Sequence, residues 1–151
     1  MRSNTSMTWY ANSEGRYGAN GAKGDLGEAI VEEYCKTNNI LFEDKNDIKS
    51  QVVLKIDCII GGVAVDVKSN YYKGTLCVEL FNHKKQKAGW LYNTMAKQIY
   101  GVDVDTKSIY RYNIEDMVAY VSKNEHRAKK TKYNDTVLWA PVALDIIEKI
   151  Q

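Results

Sequence analysis

The chain has 151 residues, 44% hydrophobic and 26% charged, with a formal net charge of +2. That length makes about one domain, able to bury roughly two thirds of the surface its unfolded form exposes, and no apolar run approaches the roughly 20 residues of a membrane span. Three cysteines without a close pair and two distant histidines argue against a disulfide framework and a zinc site. The polar, glycine-rich N-terminus has no signal-peptide core, so the expected location is the cytoplasm.

Residues 1–22 read as a flexible polar arm carrying Trp9, Tyr10 and Tyr17, and residues 23–151 as a single domain. The spacing of Leu26, Ile30, Val31 and Tyr34 predicts a helix from about Gly24, with Asp25 as its cap and Asn38-Asn39 as its stop. The β-branched runs QVVLKIDCII and VAVDVKS flank Gly61-Gly62, the pattern of a hairpin with a two-residue turn. TLCVELF follows as a third strand, and NHKKQKAGWLYNTMA reads as a basic loop entering a short helix. QIYGVDV and SIYRYN make a second hairpin about DTK. Asn113 is placed to cap a helix whose Ile114, Met117, Val118 and Val121 share one face, and the chain closes with a strand TVLWAPV and a helix ALDIIEKI, divided at Pro141. This order predicts an α/β fold, a central mixed β-sheet flanked by helices.

Two acids stand where carboxylates are expensive. Asp66 and Lys68, two apart on a strand, share one face, while Val65 and Val67 share the other. Asp57 and Asp66 each lie four residues outside the Gly61-Gly62 turn, which places them opposite one another on the hairpin. Opposed carboxylates repel, but a bound divalent cation reverses the sign, because Mg²⁺ takes carboxylate oxygens and water. Lys68 adds an ammonium that can offset charge on a phosphate.

These residues resemble the restriction-endonuclease-like, or PD-(D/E)xK, nucleases, among them the small phage endonucleases and the Holliday-junction-resolvase-like members. In that family an acid on the first helix, an Asp at the second strand and a D/E-x-K tripeptide hold one or two Mg²⁺ and cut phosphodiesters. The matching positions are Glu28 in GDLGEAIVEEY, Asp57 in KIDCII, and Asp66 with Lys68 in VDVKS. Element order carries the likeness from about Lys23 to Val121. Ile56 stands where the motif often has proline, Asp66 where Glu is commoner, and Glu32 and Glu33 compete with Glu28 for the helix role. The resemblance implies a metal-dependent endodeoxyribonuclease with Glu28, Asp57 and Asp66 as metal ligands and Lys68 as the activating cation. It also implies Mg²⁺ as cofactor with Mn²⁺ as a substitute, DNA as partner, and the host cytoplasm as location if phage-encoded. Concerted cutting of two strands calls for a homodimer. The alternative is a catalytically inactive nuclease-fold protein that binds DNA or serves assembly.

A nuclease must hold a polyanion. Lys84, Lys85 and Lys87, with His83, precede Gly89-Trp90 and are expected to contact DNA phosphates, as is Lys23 through the start of the first helix. Trp90 either fills the core or stacks on a base. A second basic run, Lys123 to Lys132, holds five Lys or Arg against one Glu; it is either a solvated loop or a second DNA contact.

Overall fold

The structure is a computed structural model that describes residues 19–45, 47 and 49–151. Most of the expected arm, with Trp9, Tyr10 and Tyr17, lies outside the described residues. Helix α1 spans Ala19–Thr37, so Asp25 sits inside it and is not its cap. Its end is as the sequence predicts: Asn39 takes a left-handed φ of 56°, and the Ile40 N–H reaches back to the Cys35 carbonyl at 2.8 Å, satisfying a terminal carbonyl. Gly27 makes a close approach to Ser69, whose Oγ leaves no room for a Cβ there.

Strand β1, Phe42–Asp44, leads into a π-helical turn, Lys49–Leu54, where a strand was expected from Gln51. The Ser50 N–H is taken by the Asp47 carboxylate at 3.0 Å, and the Ile56 N–H by the Ser50 carbonyl at 2.9 Å. The Leu54 carbonyl accepts from the Met95 N–H and the Lys55 carbonyl from the Thr94 hydroxyl. With these backbone groups committed elsewhere, only Cys58–Ile60 remains as β2. Gly61 and Gly62 then take φ of +55° and +84°, the two left-handed residues such a turn demands, and β3 runs Val63–Lys68.

The remaining strands are β4 (Tyr71–Tyr72), β5 (Thr75–Asn82), β6 (Lys87–Ala88), β7 (Gln98–Asp103), β8 (Ser108–Asn113), β9 (Lys129–Lys130), β10 (Asp135–Pro141) and β11 (Glu148–Lys149). Helix α2 spans Trp90–Asn93 and α3 spans Ile114–Ser122. Asn113 stands at the α3 cap position without making the capping bond; its side-chain oxygen accepts from Gln98 instead.

The fold is mixed α/β, but with two sheets where one central sheet was expected. The first has the order β1-β2-β3-β7-β8-β11, and the second β4-β5-β10-β9 with β6 beside β5. The β3–β7 pair is parallel and the others antiparallel. The third predicted strand leaves the first sheet because the chain turns at Ser69-Asn70, where Asn70 holds the Cys77 carbonyl through its side-chain amide at 2.7 Å and receives the Cys77 N–H at 3.0 Å.

The predicted C-terminal helix is also absent. Turns at Pro141 to Leu144 and Leu144 to Ile147 lead into β11, which pairs with β8. An open β8 edge, and apolar sites for Ile147 in one core and Ile150 beside the other, outweigh helical propensity worth only tenths of a kcal/mol per residue, about 0.7 at most.

One core lies between α1 and the first sheet, with Val31, Cys35, Val65, Val67 and Val102. The other lies between the sheets and under the short helices, with Leu76, Val78, Leu91, Ile99, Tyr112 and Met117. Among the described residues no helix is long and apolar enough to cross a membrane.

Candidate active site

The register of the first hairpin, Ile60 to Val63 and Cys58 to Val65, carries Asp57 opposite Asp66. Val65 and Val67 pack towards α1. Burying each is worth about 1.5–3 kcal/mol, and a one-residue slip would expose both. Alternation therefore sends Asp66 to the face that meets the second sheet, where it is 4% exposed. Its Oδ2 lies 3.3 Å from Lys68 Nζ, and its carboxyl is within hydrogen-bond reach of Asp57. Burial pushes the Asp66 carboxyl well above the usual range; Lys68 opposes this, while the hydrogen bond and charge of Asp57 add to it. Asp57 is fixed in turn, its Oδ2 accepting the Val67 N–H at 2.8 Å. The fully buried Tyr112 hydroxyl has no hydrogen-bond partner among the described residues. Burial, followed by the Asp66 charge, pushes it well above the usual phenol range.

Beside Lys68 opens a cavity of about 170 Å³, lined by Lys55, Lys68, Lys85, Lys87, Trp90 and Glu79 among others, with neither Asp57 nor Asp66 on its wall. Lys68 Nζ stands 5.0 Å from the Trp90 ring centroid, so the ammonium is held between a carboxylate and an aromatic face. Trp90 is half-buried and packs against the core between the sheets, and its ring lies by the Lys68 ammonium. Lys55 takes a left-handed φ of 58°. Burial, then the charges of Lys87, Lys85 and Lys68, lower its pKa. A larger cavity of about 630 Å³ beside β8 mixes Arg111 with Asp116, Asp145 and Glu148. Arg111 is committed there to Glu148, so that cavity offers no set of convergent cations.

The loop that carries Trp90 has little slack. A Cβ on Gly89 would lie 2.4 Å from the Glu79 carbonyl oxygen, and the Trp90 N–H donates to the Glu79 carboxylate at 3.1 Å. Gly89→Ala is therefore expected to cost about 1–3 kcal/mol of stability, read as a Tm lowered by roughly 2–4 °C per kcal/mol. An unchanged melt would mean that the loop yields freely.

The other predicted residues divide. Lys85 and Lys87 line the cavity; the exposed Lys84 is not among its lining residues. Lys23 lies within α1, not ahead of it, which removes the expected helix-start geometry; its carbonyl accepts the Ser69 hydroxyl at 2.9 Å, one residue after Lys68. Glu28 is half-buried and Glu32 and Glu33 exposed. After burial and the charge of Asp57, that of Glu28 helps to raise the Cys58 thiol, whereas Glu32 acts on Cys35. Among the described residues no three His, Cys, Asp or Glu side chains converge into a metal-ligating group. Two touching carboxylates nonetheless fit a cation that commonly takes one or two carboxylates and completes its shell with water and phosphate.

Lys55, Asn82 and Tyr112 were not among the residues that the sequence assigned to the site. For Lys55 a signal existed, since it stands two residues before Asp57 in the chain. For the others none did: Tyr112 nears Asp66 only through the β3–β7 and β7–β8 pairings, and Asn82 belongs to a different sheet from Lys68.

No family model and no curated protein matches the chain. Among solved structures, the chain is similar to a bacterial homing endonuclease, I-Ssp6803I, with a TM-score of 0.49 and 13% identity, over 68% of this chain and 70% of that one. At that level neither family nor activity passes to this chain.

Proposed function

We propose that the protein is a metal-dependent endodeoxyribonuclease of the PD-(D/E)xK kind, hydrolysing phosphodiester bonds at Asp57, Asp66 and Lys68. The observation that carries this reading is the register that sets Asp57 opposite the buried Asp66, with Lys68 at 3.3 Å from Asp66 and on the wall of a cavity that three other lysines line. Asp57 and Asp66 would hold Mg²⁺ or Mn²⁺, with Glu28 at the margin. Such an ion, when bound, supplies Lewis-acid stabilisation of charge on the phosphoryl group. The Lys68 ammonium, set by Asp66 and Trp90, donates to a phosphoryl oxygen as negative charge builds there. Lys55, Lys85 and Lys87 hold the flanking backbone by charge, which is insensitive to base sequence. One such site cuts one strand; a concerted double cut, or junction resolution, calls for a second copy about a two-fold axis.

The test is cleavage of labelled duplex, nicked, branched and single-stranded DNA with Mg²⁺ or Mn²⁺ and with EDTA. Metal-dependent cutting is expected, and cutting that persists in EDTA would overturn the reading. One observation favours an inactive DNA-binding nuclease fold instead, namely the lack of a third convergent acid among the described residues. DNA binding without cutting in either metal is the outcome that would establish it.

A further inference from the structure

The two basic runs, separated by some forty residues of sequence, meet in the fold. Strand β5 ends at Asn82, which lines the lysine cavity and pairs across the second sheet with Asp135, the first residue of β10. Just beyond it, the His83 N–H donates to the Asn134 carbonyl at 2.9 Å, and His83 Nε2 is 2.7 Å from the Thr136 hydroxyl. These contacts set the turn that carries Lys84 and Lys85 against the turn between β9 and β10. Lys130 pairs with Thr136 on the far side of β10. Two strand spacings of about 5 Å therefore separate Asn82 from β9, a span of about three base-pair steps at 3.4 Å per strand residue.

The hairpin has the chemistry of a polyanion contact. Lys129, Lys130 and Lys132 are exposed and, among the described residues, make no ion pair. The neighbouring acid, Asp135, is occupied by the Thr131 hydroxyl. Tyr133 at the tip is 76% exposed, with the Lys132 ammonium 5.3 Å from its ring centroid. Lysines on an edge strand also guard the edge against pairing with other chains, but that role gives no reason for a bare tyrosine beside them.

We infer that the β9–β10 hairpin is a second nucleic-acid-binding element, extending the lysine cavity into one continuous track in which Lys129, Lys130 and Lys132 meet backbone phosphates and Tyr133 stacks on an unpaired base. The inference rests on the nuclease reading for its choice of polyanion. Its test is therefore binding alone, with the full chain in EDTA, against a labelled duplex and a labelled single strand across a salt series.

Replacing the three lysines with Gln, which keeps the stems, is expected to flatten the salt dependence of duplex binding by up to about 0.9 per lost phosphate contact. Replacing the exposed Lys36, Lys107 and Lys149, which removes the same charge elsewhere, is expected to leave the slope unchanged. Tyr133→Ala is expected to weaken single-strand binding about 5-fold or more, with an unaltered melt. The inference is overturned by an unchanged slope in the hairpin variant, by an equal loss in the control, or by no DNA binding at all. Hairpin-dependent binding by a chain that never cuts leaves the inference standing and removes the nuclease reading; normal cutting with hairpin-independent binding does the reverse.

Discussion

Asp57→Asn is expected to lower the cleavage rate by about 100-fold or more, the scale of losing one preorganised polar or charged group from a reacting site, while leaving the fold intact. The Asn side-chain oxygen can still accept the Val67 N–H that Asp57 accepts at 2.8 Å, so the junction of β2 and β3 keeps its backbone partner. What is lost is one of the two negative charges proposed to face a shared cation. A second readout separates this from damage to the fold. A divalent ion that binds only the folded chain raises its stability, by about 2.7 kcal/mol at 100 times the dissociation constant, and Asp57→Asn should lose most of that rise while melting normally in EDTA. Cleavage at the unaltered rate would place the active site elsewhere.

Asp66→Asn is expected to be inactive and, at neutral pH in EDTA, more stable than the unaltered chain by about 0.5–2 kcal/mol, the usual yield of relieving such a site. That is a Tm higher by roughly 2–4 °C per kcal/mol. The sign follows from linkage. Burial and Asp57 raise the folded-state pKa of Asp66 above its usual 3.8, so the fold is favoured while the carboxyl is protonated. That contribution is complete below 3.8 and is lost as the pH rises through the raised folded value. At neutral pH the buried carboxyl either ionises against its desolvation or takes up a proton that the unfolded chain does not bind; in both cases the fold is weakened, and Asn removes the penalty. The Lys68 side chain, 29% exposed, can turn its ammonium to water when its partner is gone. The advantage of Asn should shrink on acidification and vanish below about 3.8, where the carboxyl is protonated in the unfolded chain as well. A variant less stable than the unaltered chain at neutral pH would show that attraction to Lys68 outweighs desolvation and the repulsion from Asp57.

These two effects belong together. If both results hold, Asp66 is a carboxylate kept where it works against folding, as functional groups often are, and its placement was visible before any fold was known. Two glycines, a two-residue turn and strict alternation leave a single pairing that buries Val65 and Val67, and that pairing sets Asp57 against Asp66. The α1 stop at Asn38-Asn39, the β7–β8 hairpin and the buried stripe of α3 were legible for the same reason. Each depends on neighbours within a few residues, and side-chain periodicity records those.

Other features were not legible, because they depend on where distant backbone groups find partners. The β-branched residues from Gln51 read as strand, yet capture of their flanking carbonyls by Thr94 and Met95 winds them into a π-helical turn. The strand after Lys68 was legible as a strand, but its place in a second sheet rests on the Asn70 corner. The C-terminal apolar run reads as a helix, and the unpaired edge of β8 draws it out as β11. The same holds for the site's surroundings. Local spacing brings together two acids and a lysine; the β5–β10 pairing alone joins Asn82 to the far basic hairpin, and the α2 loop alone sets Trp90 over Lys68. Local sequence thus determined the acid pair and most of the elements. Tertiary structure decided which elements became neighbours, because a backbone hydrogen bond or an edge pairing takes its partner by position in space and leaves no period in the chain to read.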